Sequence, residues 1–306
     1  VKLMKLQIPH SYVRWIKNFL HQRTTQVKIG EDTSQSIQIN RGVPQGAALS
    51  PLLYILYAND TPSPLNPQTQ MGLFADDTAY WTKGHTTKIV LHRLEQQANT
   101  FISWCKKWKL KPNPEKSQLL LFYGSQYRGR GLRTDLRLSI NIDNHPLHPS
   151  NTATYLGFTL DSKLSFAPHI KITRKKALRS FQYIRHLMPS AQIPTSMKLI
   201  LYKSLIRSIL TYGIPLYHGH TDLEPLSKIE RYWIRTTFKR WQESPEEVYE
   251  NIPLEPFHEF TSRLRSTYIR NALNRQFIQT HLLQQPHPHP DVPLNSFEYL
   301  RTHEIQ

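Results

Sequence analysis

The hydrophobic pattern of this 306-residue chain changes near residue 165, and that change constrains the fold more than any other feature. Before this point, short alternating or apolar runs that predict strands stand between stretches of helical spacing. After it only helical spacing recurs, in three separate apolar stripes. The pattern therefore predicts an α+β fold, with helices and an antiparallel sheet in residues 1–164 and an all-helical region in residues 165–283.

Within this frame the strongest element predictions are two helices, one hairpin and one further strand. They rest on apolar stripes at helical spacing or on runs bounded by turn residues. The helices cover Leu49–Tyr57 and Thr87–Leu110, the hairpin strands Met71–Ala75 and Thr78–Thr82 with Asp76-Asp77 as their turn, and the single strand Tyr155–Leu160.

The charge balance points to a polyanionic partner. The chain has 39 Lys and Arg against 22 Asp and Glu, a formal net charge of +17. The basic clusters stand beside apolar and aromatic residues, so we expect them to decorate folded structure and to attract nucleic acid. Binding to a membrane surface is the competing interpretation, but it needs a helix with a free apolar face, and the sequence does not indicate one.

Cysteine use and hydropathy bound the remaining classes. A single cysteine, Cys105, excludes an intramolecular disulfide framework and a Cys-rich zinc site, so we expect an intracellular protein. The apolar stretch Leu49–Ala58 is too short to span a bilayer, and we expect no membrane helix. The Pro- and His-rich residues 284–306, with His287 and His289 between prolines, predict a loosely ordered tail rather than a metal site.

Two adjacent acids at the tip of the predicted hairpin are the first candidate for chemistry. Phosphoryl transfer with two Mg²⁺ ions about 3.5–4 Å apart needs clustered carboxylates as hard oxygen ligands. A tight turn would project Asp76 and Asp77 out of the sheet. An acidic pair is also ordinary turn chemistry, and one hairpin cannot complete such a site without a further carboxylate.

A second candidate lies directly before the helix predicted over Leu49–Tyr57. The segment Arg41–Leu53 has the sequence RGVPQGAALSPLL, which places two glycines and two prolines around Gln45. Small residues here leave room for a nucleotide or base pair to approach the backbone, and Gln45 offers donors and acceptors. A Gly-Pro turn leading into a core helix explains much of the same pattern.

Together the two segments resemble the palm of reverse transcriptases from retrotransposons without long terminal repeats, of the jockey and LINE type. RGVPQGAALSPLL is similar to the family's motif B and the Phe74–Asp77 sequence FADD to its motif C. Trp104–Ser117 resembles the motif D region, and Thr154–Asp161 resembles the Y-L-G element that serves as the primer grip. All four lie in the family's order.

The resemblance implies an RNA-directed DNA polymerase that adds dNTPs to a DNA primer on an RNA template. It implies a partial palm in residues 1–164 and a thumb in residues 165–283. The roles in residues 1–164 are carried over from the motif position that each residue matches, whereas the role of the thumb cations is set by their charge. Asp76 and Asp77 would hold Mg²⁺ or Mn²⁺; Gln45, Gly46, Ala47 and Lys116 would contact nucleotide or template–primer; Tyr155, Leu156 and Gly157 would form the primer grip; and Arg174, Lys175 and Lys176 would follow the nucleic-acid backbone.

Two departures from the family pattern qualify this assignment. Ala47 stands where the family usually has Ser, and motif A with its aspartate would precede a segment like Ile8–Tyr12. We therefore expect the downstream part of a polymerase, starting after motif A and inactive by itself. A catalytically dead nucleic-acid-binding remnant and a group II intron maturase-like enzyme are the alternatives.

Two further expectations concern surroundings rather than chemistry. We expect action in the nucleus on target DNA and otherwise in a cytoplasmic ribonucleoprotein, without a membrane; the oligomeric state is open. In the helical region we expect Tyr232, Trp233 and Trp241 to pack in the core rather than to stack on bases.

Overall fold

The computed structural model describes residues 2–122, 138–219 and 221–273. The chain divides into two compact units, one of Val1–Lys116 with Ile140–Pro146 and one of Ser117–Ser139 with Leu147–Gln306. The fold mixes helices with short two-stranded sheets, as predicted, and the pairs β1–β4, β2–β3, β5–β6 and β11–β12 are antiparallel. The predicted tail and the Arg-rich residues 123–137 lie outside the described residues.

The α-helices in the described residues alternate with strands at first and then follow one another. They are α1 (Lys2–Lys5), α2 (His10–Leu20), α3 (Ser50–Ala58), α4 (Thr87–Lys107), α5 (Ala167–Ile184), α6 (Thr195–Tyr202), α7 (Ser208–Leu210), α8 (Ile214–Tyr217), α9 (Glu224–Phe238) and α10 (Phe257–Leu273). A π-helical turn, Lys203–Arg207, joins α6 to α7, and 3₁₀ turns cover Pro114–Lys116 and Glu247–Tyr249.

The strands are short and end at residue 161. They are β1 (Arg23–Thr25), β2 (Lys28–Ile29), β3 (Asp32–Thr33), β4 (Ile37–Ile39), β5 (Thr69–Phe74), β6 (Asp77–Thr82), β7 (Leu119–Leu120), β8 (Ile140–Ile142), β9 (His145–Leu147), β10 (Pro149–Ser150), β11 (Thr152–Tyr155) and β12 (Phe158–Asp161). β7 pairs with β10 in parallel, and the other pairs are β1–β4, β2–β3, β5–β6, β8–β9 and β11–β12.

The first unit is organised around the long helix α4. The Thr86 hydroxyl caps its first turn by accepting a 3.3 Å hydrogen bond from the Ile89 amide. It ends at Lys107 rather than at the predicted Leu110, because Lys109 adopts a left-handed conformation with φ +60°. Cys105 is buried on this helix and free, as expected from its place on the apolar stripe.

The second unit has a dense helical core. Its fully buried large side chains come from the helices α5 to α10 and their connections, which explains why three apolar stripes follow one another in the sequence. They include Phe181, Met188, Tyr202, Tyr217, Trp233 and Phe257.

An ion pair is enclosed in this core. Glu230 is fully buried and its carboxylate lies 3.0 Å from the Arg207 guanidinium. Tyr202 and Tyr249 also donate hydroxyl hydrogen bonds to Glu230. Every carboxylate oxygen is therefore paired, which is the condition under which a buried charge is tolerated.

The predicted strand over Tyr155–Leu160 is wrong in one respect, because the structure forms a hairpin there. Tyr155 pairs with Phe158, and Leu156 and Gly157 make a two-residue turn with φ +47° and +81°. Glycine adopts such angles freely, so it permits a turn inside what looks like a continuous apolar run.

The division into compact units differs from the predicted boundary near residue 164. Strands β7 and β10–β12 group with the helices, because β12 packs against α5. The Phe158 ring stacks on Tyr212 with centroids 5.1 Å apart. The functional division into 1–164 and 165–283 remains a prediction, since compactness does not report function.

One helical run has the length and composition of a membrane span, which the sequence analysis overlooked. Thr195–Tyr217 covers 23 residues with a mean hydropathy of 1.2, and one third of it is buried. Length and composition alone are weak grounds, since the core helix of a globular unit meets them too. This run supplies Tyr202 and Ile206 to the core and carries the buried Arg207. The expectation of no membrane contact therefore stays a prediction.

Candidate active site and nucleic-acid surfaces

The acidic pair lies at the exposed tip of the β5–β6 hairpin. Phe74 pairs with Asp77, so the turn consists of Ala75 and Asp76, and the predicted turn Asp76-Asp77 is wrong by one residue. Asp77 is instead the first residue of β6. The shift follows from Ala75, which takes a left-handed conformation with φ +50°. Both carboxylates are exposed.

Helix α3 is tied to this tip by a single hydrogen bond. The Tyr54 hydroxyl donates to the Ala75 carbonyl oxygen at 2.8 Å. Burial and the nearby negative charge of Asp76 raise the pKa of Tyr54 above its usual value. The helix that begins within the Gly-Pro segment thus approaches the acidic turn, as two parts of one site should.

The Gly-Pro segment itself is held from both sides. The Ser50 hydroxyl donates to the Pro44 carbonyl oxygen at the start of α3. The Arg23 guanidinium, at the first residue of β1, donates to the Gly42 carbonyl oxygen at 2.6 Å. These bonds fix a loop whose tip residues, Gln45 and Gly46, are exposed.

Gly46 lies where the sequence predicts room for a nucleotide or base pair. Its φ is +81°, and a side-chain carbon added there would meet no atom within 4 Å. The glycine is therefore required by the backbone angle rather than by a neighbouring side chain of the described residues. Ala47 is half-buried beside it. This open surface is compatible with the predicted nucleotide contact, which remains a prediction.

Lys116 ends a 3₁₀ turn that follows α4 in the chain, and its side chain is exposed. The turn is stabilised by Asn113, whose side-chain oxygen accepts a 3.0 Å hydrogen bond from the Glu115 amide. The structure gives Lys116 freedom to reach a phosphate, but its predicted role is not tested by this geometry.

The end of α4 carries an aromatic cage around Lys2. The ammonium lies 2.6 Å from the Asp60 carboxylate and within 4.9 Å of three ring centroids, those of Tyr57, Trp104 and Trp108. Although burial opposes it, hydrogen bonds from Lys2 and Trp104 hold the pKa of Asp60 below its usual value. Asp60 is thus committed to Lys2, and it does not join the acidic turn as a ligand.

A metal at the acidic tip would find carboxylate oxygens but an incomplete ligand set. In residues 2–122, 138–219 and 221–273, no cation pairs with Asp76 or Asp77. No group of three or more His, Cys, Asp and Glu that could hold a metal occurs in the same ranges. The hard oxygen donors fit Mg²⁺, and further ligands are needed.

In the second unit, the predicted primer-grip residues form the tip of the β11–β12 hairpin. The Tyr212 hydroxyl donates to the Leu156 carbonyl oxygen at 2.7 Å. A side-chain carbon at Gly157 would come within 3.2 Å of the Tyr212 ring, and one at Gly213 within 2.0 Å of the Phe158 ring. The tip is therefore packed directly on the segment that follows α7.

The three cations predicted to follow a nucleic-acid backbone are all exposed on α5 but do not share one face. Arg174 faces α9, where it lines a cavity with Tyr232. Lys176 lies near His169 on the same helix. Burial and the positive charge of Lys176 lower the pKa of that histidine. Positions 174 and 176 are about 200° apart around a helix.

The aromatic residues of α9 and its continuation behave differently from one another. Trp233 is fully buried, which confirms the core prediction. Tyr232 is half-buried, and Trp241 is 54% exposed, so the core prediction is wrong for Trp241. The reason is that Lys239 ends α9 in a left-handed conformation, with φ +59°, and turns the chain outward.

Comparison with known proteins decides the family. Residues 1–160 match the family model described as reverse transcriptase (RNA-dependent DNA polymerase). The chain belongs to the reverse transcriptase family. The matched residues include the Gly-Pro segment, the acidic hairpin and the β11–β12 turn, so the prediction drawn from these motifs is confirmed at the level of the family.

Curated relatives of this chain come from mobile elements of Drosophila melanogaster. The RNA-directed DNA polymerase from mobile element jockey is 30% identical over 239 residues, which cover 74% of this chain and 25% of the relative. The probable polymerases from transposon BS and transposon X-element are 29% and 27% identical over 71% and 70% of this chain, and 24% and 23% of theirs. The chain spans about a quarter of these relatives.

Several residues that shape the reverse transcriptase sites were missed by sequence reasoning. Tyr54 and Tyr212 each fix a hairpin tip, and Arg23 fixes the Gly-Pro segment. Tyr54 could have been suspected, since it follows Ser50 by one helical turn. Tyr212 carries no such signal, because it is 56 positions away from Leu156.

Proposed function

We propose that this chain supplies the palm and thumb of a retrotransposon RNA-directed DNA polymerase that extends a DNA primer on an RNA template. The palm is proposed in residues 1–164 and the thumb in residues 165–283. The observation that carries the proposal is the hydrogen bond from Tyr54 to Ala75, which brings the helix of the Gly-Pro segment to the acidic turn. Nucleus and cytoplasmic ribonucleoprotein are the proposed sites of action.

Asp76 and Asp77 are the proposed metal ligands. Mg²⁺ or Mn²⁺ bound there would supply a Lewis acid and neutralise charge on the reacting phosphate. The two carboxylates are exposed and carry no competing cation in the described residues, which leaves their oxygens available. Further ligands are needed, since no third His, Cys, Asp or Glu joins these two carboxylates in a metal-holding group among the described residues.

The remaining residues position the nucleic acid. Gln45 and Gly46 offer an exposed, sterically open surface, and Lys116 offers an exposed ammonium for phosphate charge or for a proton to the leaving pyrophosphate. The β11–β12 turn is the proposed primer grip. It suits that role because Tyr212 fixes the turn, and a fixed surface positions a reacting end better than a mobile one.

The proposal is tested with a labelled RNA–DNA primer–template. We expect this chain to bind it with an affinity that falls as salt rises, because phosphate contacts release counterions. We expect no primer extension in Mg²⁺, since the acidic tip alone is an incomplete site. Extension that disappears with Asp76→Ala would contradict this second expectation, and salt-independent binding would contradict the first.

Catalysis is tested in a chimera. The 239-residue region of the jockey polymerase that matches this chain is replaced by the corresponding residues of this chain. We expect Mg²⁺-dependent extension that Asp76→Ala abolishes and that Asp32→Asn, at the exposed hairpin β2–β3, leaves unchanged. A chimera that binds template–primer but stays inactive would favour the alternative of a catalytically dead nucleic-acid-binding protein.

A further inference from the structure

A groove runs between α5 and α9 of the second unit. Two cavities, of about 630 and about 330 Å³, share Gln182 and Arg185 in their walls and so form one continuous depression. We call this the α5–α9 groove; the residues that matter for its chemistry are Arg174, Arg185, Lys228, Lys239, Tyr232 and Trp241. All belong to one compact unit.

The charge of the groove has one sign. Arg174, Arg185, Lys228 and Lys239 line it, and no Asp or Glu is among the described residues that line either cavity. None of the four cations makes an ion pair within the described part of the chain. Positive charges that line a concave surface focus the electric field there, so the groove attracts a polyanion.

The groove also exposes an aromatic side chain that packing alone does not explain. Trp241 is 54% exposed, and its ring meets Tyr232 edge-on with centroids 6.0 Å apart. The Arg185 guanidinium lies 5.9 Å from the Tyr232 ring centroid. An exposed indole among cations is the combination on which unpaired bases stack while their phosphates are neutralised.

We propose that the α5–α9 groove binds a single-stranded nucleic-acid segment, with an unpaired base on Trp241 and neighbouring phosphates on Arg185, Lys228 and Lys239. A single strand suits the groove better than a duplex, because paired bases are stacked on one another and cannot cover an indole. An acidic peptide would satisfy the cations but leave Trp241 without a partner.

The length of the groove sets the size of the segment. Arg174 and Arg185 are eleven positions apart on or just beyond α5, which corresponds to about 16 Å along the helix. A strand of a few nucleotides covers that distance. None of the residues that line the groove belongs to the β11–β12 turn, the proposed primer grip, so we assign the groove to a flanking single strand rather than to the reacting primer end.

The test measures binding of a labelled oligouridine of about 12 nucleotides to the whole chain by fluorescence anisotropy at several salt concentrations. We expect Trp241→Leu to weaken binding roughly 5- to 150-fold, with the salt dependence unchanged. The double variant Arg185→Gln/Lys239→Gln removes two phosphate contacts. We expect this double variant to weaken the salt dependence, so that the magnitude of the slope of log affinity against log salt decreases by about 1.4.

Matched controls keep the test specific. Trp15→Leu removes an equally exposed tryptophan from the other unit, and Lys203→Gln removes an exposed cation outside the groove. We expect both to bind oligouridine as the unchanged protein does. Trp241→Phe keeps an aromatic ring and should restore most of the affinity lost in Trp241→Leu, which a general folding defect would not allow.

Three results would overturn the proposal. Trp241→Leu could bind oligouridine as tightly as the unchanged protein, a blunt duplex could bind with the same dependence on Trp241, or polyglutamate of equal charge could compete as well as oligouridine. None of these results bears on the proposed polymerase function, whose test uses a primer–template and Asp76→Ala. The two proposals therefore fail separately.

Discussion

The two hairpin tips of this chain are built alike but set in different surroundings. In each, a residue other than glycine takes a left-handed conformation, and a tyrosine from a helical segment donates a hydrogen bond to its carbonyl oxygen. Ala75 and Tyr54 form one such pair, and Leu156 and Tyr212 form the other. The tyrosine hydroxyl compensates a backbone angle that costs roughly 1–2 kcal/mol.

The difference lies in what surrounds each turn. The first tip is exposed and carries Asp76, whereas the second has Gly157 against the Tyr212 ring and Phe158 stacked on it. An exposed turn leaves its carboxylate accessible to solvent and to metal. A packed turn holds its backbone in one place. One tip therefore presents an accessible carboxylate, and the other offers a fixed surface.

The largest expected effect comes from the core that supports the second tip. Glu230→Ala leaves the buried Arg207 without its carboxylate partner and is expected to lower the free energy of unfolding by roughly 3–5 kcal/mol. Denaturant unfolding of the whole chain measures it. The control is Glu230→Leu combined with Arg207→Met, which removes both charges and should destabilise less. Equal losses in both variants would contradict the assignment to an unpaired charge.

Exchanging glycine and alanine at the two turns should give effects of opposite sign. Gly157→Ala places a side chain at φ +81° and against Tyr212, so we expect a loss of roughly 1–2 kcal/mol. Ala75→Gly relieves the strain at φ +50° and should stabilise by up to about 1 kcal/mol. Thermal unfolding of both variants measures the difference. Destabilisation by Ala75→Gly would show that the turn is not strained.

Removing each tyrosine hydroxyl tests whether the two hydrogen bonds are equivalent. Tyr54→Phe and Tyr212→Phe should each lower the free energy of unfolding by about 0.5–1.5 kcal/mol. If the second tip is the primer grip, Tyr212→Phe should also weaken primer–template binding, whereas Tyr54→Phe should not. Equal weakening of primer–template binding in both variants would mean that the two tips do not differ in positioning the primer.

Sequence reasoning found the elements and the family but not the contacts that fix the sites. Local patterns located α4 and the two strands of the acidic hairpin, because periodicity and turn residues are short-range signals, but they missed the end of α4 and the turn by a few residues. The turn at Leu156 and Gly157 was missed, since its apolar neighbours hide a glycine that acts through its backbone angle. The exposure of Trp241 depends on the left-handed backbone conformation of Lys239, with φ +59°, and the local sequence pattern does not predict that conformation.

The smallest expected effect concerns the charge at the first tip. Because burial and Asp76 together raise the pKa of Tyr54, the folded protein keeps this hydroxyl proton to higher pH than the unfolded chain does. The free energy of unfolding should therefore fall as pH rises above about 10, the usual pKa of tyrosine.

Asp76→Asn removes the charge and should lower the pKa of Tyr54, while the contribution of burial remains. Asp77→Asn is the matched control and should leave that pKa unchanged, because Asp77 lies in β6 rather than in the turn. NMR titration of ring-labelled tyrosine measures both variants. A shift of equal size in the two variants would mean that Tyr54 senses the acidic pair as a whole rather than the turn residue Asp76.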